Sequence, residues 1–203
     1  NPDLLYVGVD GVMTPLNQKQ GYKEAKVGVI FWNKDHQKVN RQRGKIRQRE
    51  YVATLKSREE FITRVSQLYN QITEHKATNT VIIGDGAPWI WQMASEQFPG
   101  SVEILDFFHL SEYVWKVAKA AYPNQEDKQR NWVKAQQQIL KKSQWQTVIE
   151  NCYQLPGKKK DLTESITKLE RYLNNNQSRI DYQSYLKGGN RRFVRRSAAS
   201  KKM

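Results

Sequence analysis

The sequence predicts an α/β protein in which a mixed β-sheet flanked by helices is followed by an all-helical segment toward the C-terminus. Three observations carry this. Short apolar, β-branched runs recur between residues 4 and 108, bounded by polar or Gly/Pro-containing turns. A helical pattern falls between the third and fourth of these runs, which makes the sheet mixed. After Pro123 the strand signals stop and only helical spacing remains. A chain of 203 residues holds one sizeable α/β domain and a smaller helical piece.

Leu4 to Leu16 is apolar enough for a first strand. Glu24 to Trp32 gives a second, with Val27, Val29 and Phe31 alternating against Lys26, Gly28 and Ile30. Asn17 to Gly21 supplies the polar turn of a hairpin. Asn33 to Arg49 carries Lys34, Lys38, Arg41, Arg43, Lys45, Arg47 and Arg49 against Asp35 alone and reads as an exposed basic loop. Glu50 to Leu55 is a third strand. Ser57 and Glu60 form a Ser-x-x-Glu capping box, and Phe61, Val65, Leu68 and Ile72 follow at helical spacing. Thr80 to Gly84 is a continuous apolar run, as expected of a central strand covered on both faces. Pro88 opens the next helix, where a missing N–H costs little. That helix runs to Phe98, and Pro99-Gly100 ends it.

Ser101 to Phe108 is another apolar strand, followed by an amphipathic helix from Leu110 to Ala121 with Val114, Val117, Ala118 and Ala121 on one side. Farther on, Trp132, Ala135, Ile139, Val148, Ile149 and Cys152 indicate two helices. Ile166, Leu169, Tyr172 and Leu173 indicate a third, beyond a linker over residues 156–160. The predicted organisation is a core over residues 1–123, a helical segment over 124–186 and a basic tail over 187–203. That tail holds seven Lys or Arg and no acid, and reads as disordered or degenerate.

Lys and Arg total 34 against 20 Asp and Glu, a formal charge of +14. An excess of that size points to a polyanionic partner, with nucleic acid first. The lone Cys152 excludes an internal disulfide framework and a cysteine-based zinc site, and fits a reducing cytoplasm. No apolar run approaches the roughly 20 residues that cross a bilayer, and Asn1-Pro2-Asp3 lacks the order of a signal peptide, so no membrane partner is expected. The chain begins without Met and enters an apolar strand almost at once, which predicts a piece of a longer protein.

Two carboxylates stand out. Asp10 ends one apolar strand ahead of Gly11, and Asp85 ends another within Gly84-Asp85-Gly86-Ala87-Pro88-Trp89. Side by side on a sheet, two strand-end carboxylates offer the hard oxygen ligands that Mg²⁺ prefers, with open positions left for phosphate oxygens. Asp-Gly is also ordinary turn chemistry, and either motif alone would be read that way. Asp106 and His109 form a further polar pair at a strand-to-helix turn, as accessory candidates; Asp106 is equally placed to cap the helix. The Asp-x-Asp-Gly signature of haloacid-dehalogenase phosphatases is incomplete, because Gly8 stands two positions before Asp10. No phosphate-binding glycine loop occurs either. Trp89 and Trp91 read as core residues more readily than as platforms for a distorted base.

Val9-Asp10-Gly11, the Lys26-Val27-Gly28-Val29 strand, Glu50-Tyr51-Val52-Ala53, Gly84 to Trp91 and Leu105-Asp106-Phe107-Phe108-His109 together resemble the catalytic region of insertion-sequence transposases of the ISKra group. The resemblance runs to about Leu186, and Gly84 to Trp91 is its most specific part. It implies a ribonuclease-H-like fold with a helical insertion, here residues 124–186, before the last catalytic helix. It also implies an Asp-Asp-Glu triad holding Mg²⁺ or Mn²⁺, with Asp10 first and Asp85 second. The expected third acid is replaced: Phe193-Val194-Arg195-Arg196-Ser197-Ala198-Ala199 puts Arg196 where Glu belongs, and a guanidinium there opposes cation binding.

The reaction implied for an intact enzyme is phosphodiester hydrolysis at a transposon end, followed by attack of the freed 3′ hydroxyl on target DNA. The implied partners are those two DNAs and a second copy of the chain, in a prokaryotic, nucleoid-associated setting. The family's amino-terminal DNA-binding region has no counterpart in these residues. Loss of the third acid predicts impaired activity. The alternatives are a non-catalytic DNA-binding remnant, held by residues 34–49 and the tail, and a stand-alone nuclease of the same fold that recruits a carboxylate such as Asp106.

Overall fold

A computed structural model of the chain describes residues 3–16, 21–38, 44–76, 78–157 and 159–185. The chain divides into two compact units, Asn1–Glu103 and Ile104–Met203. The predicted tail with Arg196, the residues Asn17 to Gln20 of the hairpin turn, and Arg41 and Arg43 of the basic segment lie outside the described residues.

The first unit is built on strands β1 (Leu4–Pro15), β2 (Tyr22–Trp32), β5 (Glu50–Thr54) and β6 (Asn79–Gly84), with helices α1 (Arg58–Thr73) and α2 (Pro88–Gln97). β1 and β2 form the predicted hairpin, antiparallel from Leu5 opposite Trp32 to Pro15 opposite Tyr22. β5 lies antiparallel on the outer edge of β2. β6 lies parallel to β1 on its other side, with Leu4 opposite Asn79 and Val9 opposite Gly84. With β7 (Val102–Leu105), which straddles the unit boundary, the sheet has the order β5-β2-β1-β6-β7. It is a mixed sheet, as the sequence predicts, because the crossover through α1 returns the chain parallel to β1.

Two glycines show which face the helices cover. A Cβ on Gly28 would lie 3.2 Å from Phe61 Cζ and 3.3 Å from Val65 Cγ2 of α1. One on Gly84 would lie 2.8 Å from Ile90 Cγ2 of α2. Val9 is the register partner of both, so α1 and α2 lie on its face of the sheet. Leu5, Val7, Ile82, Phe61 and Ile90 are fully buried there, each side chain contributing roughly 1.5–3 kcal/mol by leaving water. On the opposite face Tyr6 and Phe31 stack at 5.3 Å, and both are buried. Phe31 is thus a core residue as its alternation predicts, but Gly28 and Ile30 are buried too, because β2 is covered on both faces there.

Ser57 caps α1 as predicted, its hydroxyl accepting the Glu60 N–H at 3.2 Å. The segment Asn33 to Arg49 is not simply a loop. A 3₁₀ turn at Asn33–Asp35 leads into a small ribbon of β3 (His36–Lys38) and β4 (Gly44–Ile46), closed by Arg47 N–H donating to Asp35 O at 2.7 Å. Its charge hid this, since exposed two-stranded ribbons tolerate basic side chains on both faces.

The second unit is helical: α3 (Phe107–Ala121), α4 (Glu126–Leu140), α5 (Trp145–Tyr153), α6 (Lys160–Asn175) and the short α7 (Tyr182–Tyr185). α3 packs on α4 and α6, and α5 packs on the same two. By this packing α3 groups with the helices that follow Pro123. The strand predicted to reach Phe108 stops at Leu105, because the Asp106 carboxylate accepts the Phe108 N–H at 2.7 Å and starts α3.

On α4 the buried line is Gln129, Val133, Gln136 and Leu140, one residue out of step with the predicted Trp132, Ala135 and Ile139. The two glutamines are satisfied where they lie. Gln129 Nε2 donates to Tyr122 O at 2.6 Å, and Gln136 Oε1 accepts from Asn151 Nδ2 at 2.9 Å. Tyr182 is fully buried, sets its ring edge-on to Phe107 at 5.3 Å and donates its hydroxyl to Leu105 O at 2.9 Å.

Candidate functional site: two aspartates beyond the parallel ladder

The parallel register of β1 and β6 ends at Val9 opposite Gly84. The next residue on β6's side is Asp85, which directly follows that strand. Asp10, by contrast, is not at the strand end that the sequence predicts for it: β1 runs on to Pro15 because its pairing with β2 continues, and Asp10 lies within it opposite Val27. Asp10 is one step beyond Val9, whose face is covered by α1 and α2, and alternation sends it toward the other face. Both aspartates are half-buried, and Asp10 Oδ1 is shut off from solvent.

Local chemistry fixes Asp85. Its Oδ1 accepts the Ala87 N–H at 2.9 Å, across Gly86 at φ 95°. That positive φ is the region glycine enters without a steric penalty, so Asp85-Gly86 is a turn in the ordinary sense. The turn and the metal readings do not compete, because the turn holds the carboxylate at the strand end where a ligand would need it. α2 begins directly after, with Pro88 in its first turn. Gly84 allows α2 to approach: Ile90 and Trp91 occupy the space a side chain there would need. Trp91 is buried, as the core reading expects, whereas Trp89 is only half-buried and packs edge-on to Phe61 at 5.9 Å.

Two carboxylates immediately beyond the last pair of a parallel ladder supply hard oxygen donors of the kind Mg²⁺ and Mn²⁺ take, and so fit such an ion. Among the described residues no group of three or more His, Cys, Asp or Glu gathers as a ligand set. Arg196, expected to replace the third acid, lies outside them. The accessory candidates Asp106 and His109 belong to the second unit. Asp106 is the N-cap of α3, and His109 is half-buried one turn from Glu112, with Nδ1 4.0 Å from its carboxylate.

The structure also assembles a cluster that sequence reading passed over. A concavity between α3 and α6 is lined by Tyr113, Lys116, Lys168, Arg171 and Tyr172. Its only sequence signal is the spacing Tyr113-x-x-Lys116 and Lys168-x-x-Arg171-Tyr172, which puts each set on one helix face.

Among the described residues no helix is long and apolar enough to cross a membrane. No protein with a curated description matches the chain. Residues 2–195 match the model of UPF0236, an uncharacterised protein family, and by that span the chain belongs to it.

Proposed function

We propose that the chain is the catalytic region of a DNA transposase with a ribonuclease-H-like core, in which Asp10 and Asp85 hold divalent metal and catalysis is impaired by Arg196. The observation that carries the reading is the parallel register of β1 and β6, whose last pair, Val9 opposite Gly84, immediately precedes Asp10 and Asp85. The sheet order, the charge of +14 and the motif resemblance support it. Mg²⁺ or Mn²⁺, when bound, would neutralise phosphate charge and lower the pKa of an attacking water or 3′ hydroxyl. Asp10 and Asp85 would hold the ions, the Asp85-Gly86 turn would fix one carboxylate, and the basic surface would retain the DNA. Arg196 in place of an acid would set a positive charge against the cations.

The test is nicking of a supercoiled plasmid in Mn²⁺. Arg196→Glu is expected to raise the rate at least tenfold over the natural chain, and adding Asp10→Asn should abolish the gain. Nicking that is unaffected by both substitutions would overturn the proposal.

A further inference from the structure

The concavity between α3 and α6 has a volume of about 430 Å³, and among the described residues three cations but no carboxylate line it. The Tyr113 and Tyr172 rings stack at 4.3 Å, nearly parallel at 13°, and join the two helices. Lys116 Nζ sits 4.8 Å over the Tyr113 ring, which holds the ammonium in place. From α6 come Lys168 and Arg171, and Lys168 makes a long 3.9 Å pair with Glu164. Ser165 and Asn175 add neutral hydrogen-bonding groups at the two ends. From Ser165 to Asn175 the helix rises about 15 Å, the axial reach of roughly four nucleotides of a duplex strand.

We infer that this groove binds the phosphodiester backbone of nucleic acid, seating successive phosphates on Lys116, Lys168 and Arg171. Tyrosine faces can stack on bases, but here Tyr172 lies on the Tyr113 ring and Lys116 lies over it, so that ring offers a base no free platform. The groove therefore reads phosphate and not sequence. Only the identity of the polyanion rests on the proposed function; the geometry is independent of Asp10 and Asp85.

The test measures the full chain against a fluorescein-labelled 20-base-pair duplex, in EDTA, as a function of salt. The triple variant Lys116→Gln/Lys168→Gln/Arg171→Gln is compared with a charge-matched control, Lys128→Gln/Lys134→Gln/Lys160→Gln, at exposed positions outside the groove. Melting curves establish that both fold.

Removing three phosphate contacts should lower the slope of log K against log salt by about 2.7. We expect the groove variant to lose affinity at least tenfold and the control to lose less than a third as much on the slope. Equal losses in the two variants would make the binding diffuse and overturn the inference, as would unchanged binding in the groove variant or no binding by the natural chain. Displacement by orthophosphate well beyond its ionic strength would assign the groove to free phosphate instead. Because the assay excludes metal, its failure leaves Asp10 and Asp85 to the nicking test.

Discussion

Gly84→Ala tests how the end of β6 is held. A methyl group there falls 2.8 Å from Ile90 Cγ2, 3.1 Å from Ile90 Cδ1 and 3.3 Å from Trp91 Cη2. Comfortable carbon contacts lie at about 3.5–4.0 Å, so the nearest atom must retreat by close to an ångström. Ile90 is fully buried and β-branched, with one preferred rotamer on a helix, and cannot simply swing away. Overpacking of this kind costs roughly 1–3 kcal/mol. The alanine regains about 0.5–1 kcal/mol through the smaller entropy of its unfolded chain. The net expectation is a loss of up to about 2.5 kcal/mol, centred on about 1 kcal/mol, or a melting temperature lower by roughly 2–4 °C for a chain of this size. Gly28→Ala, with its nearest atom at 3.2 Å, should lose less. Urea titration followed by circular dichroism measures both. A Gly84→Ala protein as stable as the natural chain would refute the close seating of α2 on β6, and with it the account of how Asp85 is positioned.

Two further outcomes follow from buried groups. Tyr182→Phe removes the hydroxyl bonded to Leu105 O and leaves a buried carbonyl short of a partner, at a cost of about 1–3 kcal/mol in thermal unfolding; no change would mean that α7 is not held there. Burial pushes the Cys152 thiol up from its ordinary 9.0 to about 12, with the Glu170 carboxylate adding to the rise. The folded state therefore keeps its proton while the unfolded chain loses it. Stability is at its full value below pH 9 and falls between pH 9 and about 12, by at most about 1.4 kcal/mol per pH unit from this group. Iodoacetamide should leave the folded protein unlabelled at pH 8 and label it in denaturant, and rapid labelling of the folded protein would contradict the burial.

Much of the first unit was legible because its signals are local. The Ser57 cap, the apolar run into Gly84 and the Asn17 to Gly21 turn flanked by β-rich segments fix α1, β6 and the hairpin on short-range chemistry. The parallel pairing of β1 with β6 was not legible, since strand order is a long-range property that periodicity does not encode. Two errors share one cause. Phe107 and Phe108 extended an apolar run past the real strand end, and Gln129 and Gln136 concealed the buried face of α4. Apolarity stood in for burial, while side-chain hydrogen bonds decided the outcome in both places. The groove of Tyr113 and Arg171 was invisible for a simpler reason: its halves lie on helices separated in sequence by α4 and α5, and neither half is a motif alone.

The most direct measurement is a Mn²⁺ titration of the natural chain and of Asp10→Asn and Asp85→Asn, with Asp127→Asn, an exposed carboxylate on α4, as control. Saturable binding by the natural chain and the control, lost in both Asp10→Asn and Asp85→Asn, is the result the account predicts. Binding that survives either of these two substitutions unchanged, or is absent from the natural chain, would contradict it.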